Sequence, residues 1–98
     1  MVHVLIRHKV SDFNNWKAVF DAAFMLRKNA GERSFHLFRD AEDPSDLTLL
    51  FEWENGEMAQ NFLMSDQLRI EMKKAGVLGP PESRLLHEMM TMRRTAAD

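Results

Sequence analysis

Apolar and polar residues alternate along Val2 to Lys9. Val2, Val4, Ile6 and His8 fall on one face and His3, Leu5, Arg7 and Lys9 on the other, the pattern of a half-buried strand. After Ser11 and Asp12, either of which can cap a helix, the period changes. Phe13, Trp16, Val19, Phe20, Ala23, Leu26 and Ala30 recur at spacings of three and four up to Gly31, which predicts one helix over 13–30. Phe24 and Met25 widen its apolar arc beyond what one sheet can cover.

Period two returns over Arg33 to Asp40 and Leu47 to Glu54, and the intervening Asp43-Pro44-Ser45-Asp46 is a turn, so the two segments are expected to form a hairpin. Leu47, Leu49, Phe51 and Trp53 share one face, expected to be dry together with Phe35 and Leu37; His36, Phe38, Leu50 and Glu52 share the other. Asn55 can cap a second helical region bearing Met58, Phe62 and Leu63, and Ser65 or Asp66 can start a further stretch with Leu68, Met72 and Ala75, stopped by Gly76. Gly79-Pro80-Pro81 predicts an extended connection, Ser83 to Met90 a fourth strand, and 91–98 a frayed tail.

The order strand, helix, strand, strand, helix, strand predicts a single α+β domain over 1–90, with a four-stranded antiparallel sheet and its helices on one face. The other sheet face, half apolar and half ionisable, is expected to meet a second copy of the chain. At 98 residues the domain buries little of its own surface, and self-association would add to that burial.

Composition narrows the chemistry. Thirteen basic and fifteen acidic side chains leave a net charge of −2, spread along the chain, so neither nucleic acid nor an anionic membrane is an expected partner. With no cysteine, thiolate nucleophiles, disulfides and sulfur-ligated metals are ruled out, in keeping with a cytoplasmic location. The apolar run Val4 to Ile6 is too short for a signal peptide or a membrane span. His3 and His8 lie on opposite faces of one strand, and no HxxxH, GxSxG or GxGxxG motif occurs, so no metal and no cofactor is expected. Eight Met and seven Phe favour an adaptable apolar interior.

Two phrases, IRHKVSDFNNWKAVFD and LFEWENGEMAQNFLMSDQLRIEMKKAGVLGPP, resemble small bacterial proteins related to the antibiotic biosynthesis monooxygenases. These belong to the ferredoxin-like dimeric α/β barrel superfamily. The resemblance implies a βαββαβ fold, a homodimer closed through the sheets, and a pocket between sheet and helices. Activities in that superfamily include cofactor-independent oxygenation of polycyclic phenols, heme degradation, isomerisation, cyclisation and effector binding, and fold does not choose among them. Trp53 stands where heme-degrading members carry a Trp. The His and Asn that those enzymes also use are lacking from the second helix and the first strand.

Within this frame His8 is the candidate acid or base, since a partly buried imidazole exchanges protons near neutrality. Phe20 and Trp53 are candidate walls for an apolar or aromatic substrate, and Arg39 a candidate anion contact. His36 and Glu52 form a candidate pair on the open face, directly opposite one another if the paired residue numbers in the hairpin sum to 88. The expected function is a small-molecule-processing homodimer, either a cofactor-independent monooxygenase or a cyclase or isomerase. A ligand-binding or structural dimer without catalysis is the alternative.

Overall fold

The computed structural model describes residues 2–96. Strand β1 is Val2–Val10, helix α1 Phe13–Ala22, helix α2 Phe24–Ala30, strand β2 Glu32–Arg39, strand β3 Asp46–Trp53, helix α3 Gly56–Leu63, helix α4 Asp66–Lys74 and strand β4 Val77–His87. The sheet is antiparallel with strand order β2-β3-β1-β4, the α+β ferredoxin-like arrangement. Residues 88–96 carry no helix or strand. The last two residues of the expected tail, 97 and 98, and Met1 of the expected domain lie outside the described residues.

Period two in the sequence becomes the two sheet faces. Val4, Ile6, His8 and Val10 of β1 and Leu47, Leu49, Phe51 and Trp53 of β3 are all buried beneath helices on one side. His3, Leu5 and Arg7 pair with Glu52, Leu50 and Thr48 on the other. Capping follows the sequence closely: Asp12, Asn55 and Ser65 accept hydrogen bonds from the backbone N–H groups of Asn14, Met58 and Leu68, satisfying donors that the first helical turn leaves free. At Gly31 the chain leaves α2 with φ of 116°, where a Cβ would stand 2.7 Å from Trp53 Nε1.

Three expectations need correction. The single helix over 13–30 is broken at Ala23 (φ −88°, ψ 12°), where the Phe20 carbonyl accepts from both the Ala23 N–H, at 3.2 Å, and Arg27 Nη1, at 2.6 Å. The fourth strand starts at Val77 rather than Ser83, with Gly79-Pro80-Pro81 inside it. Prolines are tolerated there because β4 is an edge strand and the ladder is interrupted: Arg7 pairs with Glu82 but Lys9 with Leu78, so His8 faces a bulge. Finally, the hairpin pairs His36 with Leu50 and Ser34 with Glu52. The pairs sum to 86, and His36 and Glu52 are not directly opposed.

Candidate functional site

The site grows from a ladder of rings. Phe13, Trp16 and Phe20 lie on one side of α1, Trp16 and Phe20 stacked with centroids 4.8 Å apart. Phe20 meets Phe35 edge-on at 5.0 Å, and Phe51 continues the series to Trp53 and Phe62. Where the rings of α1 pass over β1 and β3 they leave a cavity of about 60 Å³. Its floor is Ile6, His8, Leu49 and Phe51; its walls are Trp16, Val19, Phe20, Leu26 and Arg27 on one side and Phe62, Leu68, Glu71 and Met72 on the other. That volume holds a few waters and is smaller than the roughly 150 Å³ known to admit benzene, so a ring-bearing ligand must push a wall outward.

His8 is buried in the cavity floor. Its Nε2 accepts a hydrogen bond from Trp16 Nε1 at 3.0 Å, while its Nδ1 is buried with no partner. Burial pushes the imidazole below its ordinary value of 6.5, and the carboxylate of Asp46 opposes the shift in part. The ring is therefore neutral at pH 7.

Arg27 is the second polar wall group, almost fully buried. Its Nε donates to Glu32, its Nη1 to the Phe20 carbonyl, and its guanidinium carbon sits 3.6 Å from the centroid of the Phe20 ring, a cation–π contact. Glu32 reaches it because of a register shift between Glu32 and Ser34, which pairs Glu32 with Trp53 on the covered face. Sequence reading missed Arg27. The signal was there: position 27 lies four residues after Ala23 and seven after Phe20, on the stripe that faces the sheet.

Of the six residues singled out from sequence, the structure brings His8 and Phe20 together at the cavity. Trp53 does not line it. Fully buried, Trp53 donates from Nε1 to the Ala30 carbonyl at 2.9 Å and packs on Phe62 with centroids 4.6 Å apart, so its role is to seat the end of α2 on the sheet. Arg39 stands at the hairpin end, 5.4 Å over the ring of Phe13, also away from the cavity. His36 and Glu52 are on the opposite, uncovered face of the sheet, with Phe38 and Leu86, both exposed. On that face Arg7 grips Asp46 through Nε (3.2 Å) and Nη2 (2.8 Å), which holds the Asp46 carboxyl below the ordinary carboxylate range. No helix among the described residues is long and apolar enough to cross a membrane.

The fold has counterparts among solved structures. A cofactor-independent oxygenase from Streptomyces nogalater, SnoaB, superposes with a TM-score of 0.76 at 14% identity, over 95% of this chain and 97% of that one. The chain has the fold of the antibiotic biosynthesis monooxygenase-like proteins. A Bordetella bronchiseptica protein provisionally assigned as an antibiotic biosynthesis monooxygenase matches at 20% identity with a TM-score of 0.76, covering 91% and 97% of the two chains. Rv0793 from Mycobacterium tuberculosis matches at 18% identity with a TM-score of 0.67, covering 94% and 98%. No protein-family model and no curated protein matches the sequence. Identities this low speak for the monooxygenase-like fold and leave the chemistry to the residues of the cavity.

Proposed function

We propose that this protein is a small-molecule-processing homodimer, acting on an apolar or aromatic substrate in the cavity between sheet and helices, with His8 as its proton-exchanging group. One observation carries the reading: a buried imidazole with a free ring nitrogen forms part of the wall of an otherwise mainly apolar cavity. A few polar groups in an apolar, concave site is the usual composition of a ligand pocket, and a buried polar atom without a partner costs stability that a ligand can recover. Phe20 and Phe51 supply flat apolar walls, and Arg27 replaces Arg39 as the cationic group within reach of a bound molecule. The reaction class is cofactor-independent monooxygenation, supported by the likeness in fold to a cofactor-independent oxygenase of Streptomyces nogalater, or an isomerisation or cyclisation that needs proton exchange alone. The second copy is expected to dock on the uncovered sheet face, where Phe38 and Leu86 stand exposed.

Oxygen uptake by the purified, metal-stripped protein with electron-rich phenols tests the oxygenase reading. Uptake lost in His8→Ala, with the circular dichroism spectrum retained, is the expected result; uptake unchanged in that variant removes His8 from the mechanism. The small volume of the cavity, about 60 Å³, favours one further reading, a binding dimer without turnover. It predicts a molecule released unchanged when the native dimer is denatured in a mass spectrometer, with no oxygen uptake from any phenol.

A further inference from the structure

Trp16 and His8 together decide which way a proton can move in this cavity. An indole N–H is only ever a donor. Since Trp16 Nε1 lies 3.0 Å from His8 Nε2, Nε2 must present its lone pair, and in a neutral imidazole the single ring proton then resides on Nδ1. That atom is the one with no partner. The lone pair that a base would use is occupied by the indole, and the atom left for a ligand is an N–H.

The surroundings hold this arrangement in place. Trp16 is buried and wedged in the ring stack between Phe13 and Phe20, so its indole cannot turn away without disrupting two aromatic contacts. Opposite His8 the β1–β4 ladder is interrupted between the Glu82 and Leu78 pairings, and no acceptor meets Nδ1 among the described residues.

We infer that Trp16 is a positioning residue that holds His8 as a hydrogen-bond donor, so that the cavity selects a ligand oxygen bearing no proton: a ketone, an enolate or a phenolate. This rests on the cavity being the ligand site, as proposed above, and refines it: of the acid and base roles open to His8, the tautomer leaves the acid role, a donor that stabilises negative charge on a substrate oxygen. A developing oxyanion that meets a preset donor in a mainly apolar cavity is stabilised more than in water, because the donor needs no reorganisation. Of the two reaction classes, either can use such a donor, because oxygenation of a phenolate and isomerisation of an enolate both carry negative charge on the oxygen that meets His8, the substrate having given up its own proton to solvent.

The tautomer is measurable without any ligand. Nitrogen-15 NMR of the imidazole, through its two-bond couplings to the ring protons, distinguishes protonated from unprotonated ring nitrogens. The wild-type protein at pH 7.5 is expected to show His8 as a single Nδ1–H tautomer, and Trp16→Phe, which keeps a ring but loses the donor, is expected to shift it toward Nε2–H. A wild-type His8 protonated on Nε2, or a Trp16→Phe spectrum identical to the wild type, overturns the inference; should the variant fail to fold, the wild-type spectrum alone decides. The ligand class is read with 4-nitrophenol, whose phenolate absorbs visible light. Binding is expected to favour the phenolate over the phenol by about tenfold or more, the size of a charge-assisted hydrogen bond, and to lose that preference in Trp16→Phe. Equal binding of both forms, or of neither, overturns the ligand class. A correct tautomer with no oxygen uptake would instead leave the donor role standing and remove the oxygenase reading.

Discussion

The two strand–helix–strand halves of this chain share a topology and differ in how they are held. In the first half, α1 and α2 bury Trp16 and Arg27, and each of those side chains is fastened at more than one point: Trp16 by His8 and two rings, Arg27 by Glu32, the Phe20 carbonyl and the Phe20 ring. In the second half, α3 buries Ala59 and Phe62, whereas α4 buries no residue at all. It leans on the cavity through Leu68, Glu71 and Met72. His8 and Arg27 therefore sit on the firmly anchored half, and the wall that must yield to a ligand is the lightly anchored one. Local opening is drawn from the least buried elements, which makes α4 the expected entrance.

The sharpest way to break this comparison is to cut the fastening of the first half. Arg27→Met leaves Glu32 buried without its partner and is expected to cost about 3–5 kcal/mol, read from urea unfolding at constant slope. Arg27→Met combined with Glu32→Leu should recover most of that loss, and if it does not, the ion pair is not what anchors α2. Next in size is Gly31→Ala. A left-handed backbone costs about 1–3 kcal/mol for a residue with a side chain, and here the new methyl also meets Trp53 Nε1, so a drop at the upper end of that range is expected from the same measurement.

On the second half, Ser65→Ala removes the cap of α4 and is expected to cost about 1 kcal/mol. Hydrogen exchange should show the loss concentrated in 66–74; a loss shared equally with α1 would contradict the idea of a separately opening wall. The smallest effect is on the pH dependence. Because the fold favours neutral His8, the unfolded chain takes up a proton that the native chain refuses. Its contribution is complete above the unfolded value of about 6.5 and declines as the pH falls through that value toward the lower native one. Asp46, whose carboxyl is held low by Arg7, adds a second loss further down, below its ordinary value of 3.8. Urea midpoints followed from pH 8 to 3 should show both slopes, and His8→Gln should flatten only the upper one.

Much of the scaffold was legible in the residues. The alternation at Val4, Ile6 and His8 and at Leu47, Leu49, Phe51 and Trp53 names the covered face, and Asp12, Asn55, Ser65, Gly31 and Gly76 mark helix ends because their physical role there is local. What failed to show in the sequence depends on partners distant along the chain. Ala23 is among the best helix formers, and the helix breaks there where a guanidinium four residues later takes a carbonyl. The shift of register at Arg33 has no residue signature, yet it is what turns Glu32 inward to Arg27. Trp53 shows the converse: a large aromatic in a dry strand is equally suited to a pocket wall or to the core, and only the Ala30 carbonyl within reach of its indole decides for the core.

The proline pair in β4 also bears on how many copies of this protein can be strung together. A sheet has two rims, and at each the backbone is open to a further strand. On the β4 rim, the adjacent Pro80 and Pro81 include one position whose outward N–H an incoming chain would need, and the ladder is interrupted at the same place. The opposite rim, β2, carries no proline over its eight residues. Addition of strands to a single copy is therefore expected along β2 and not along β4.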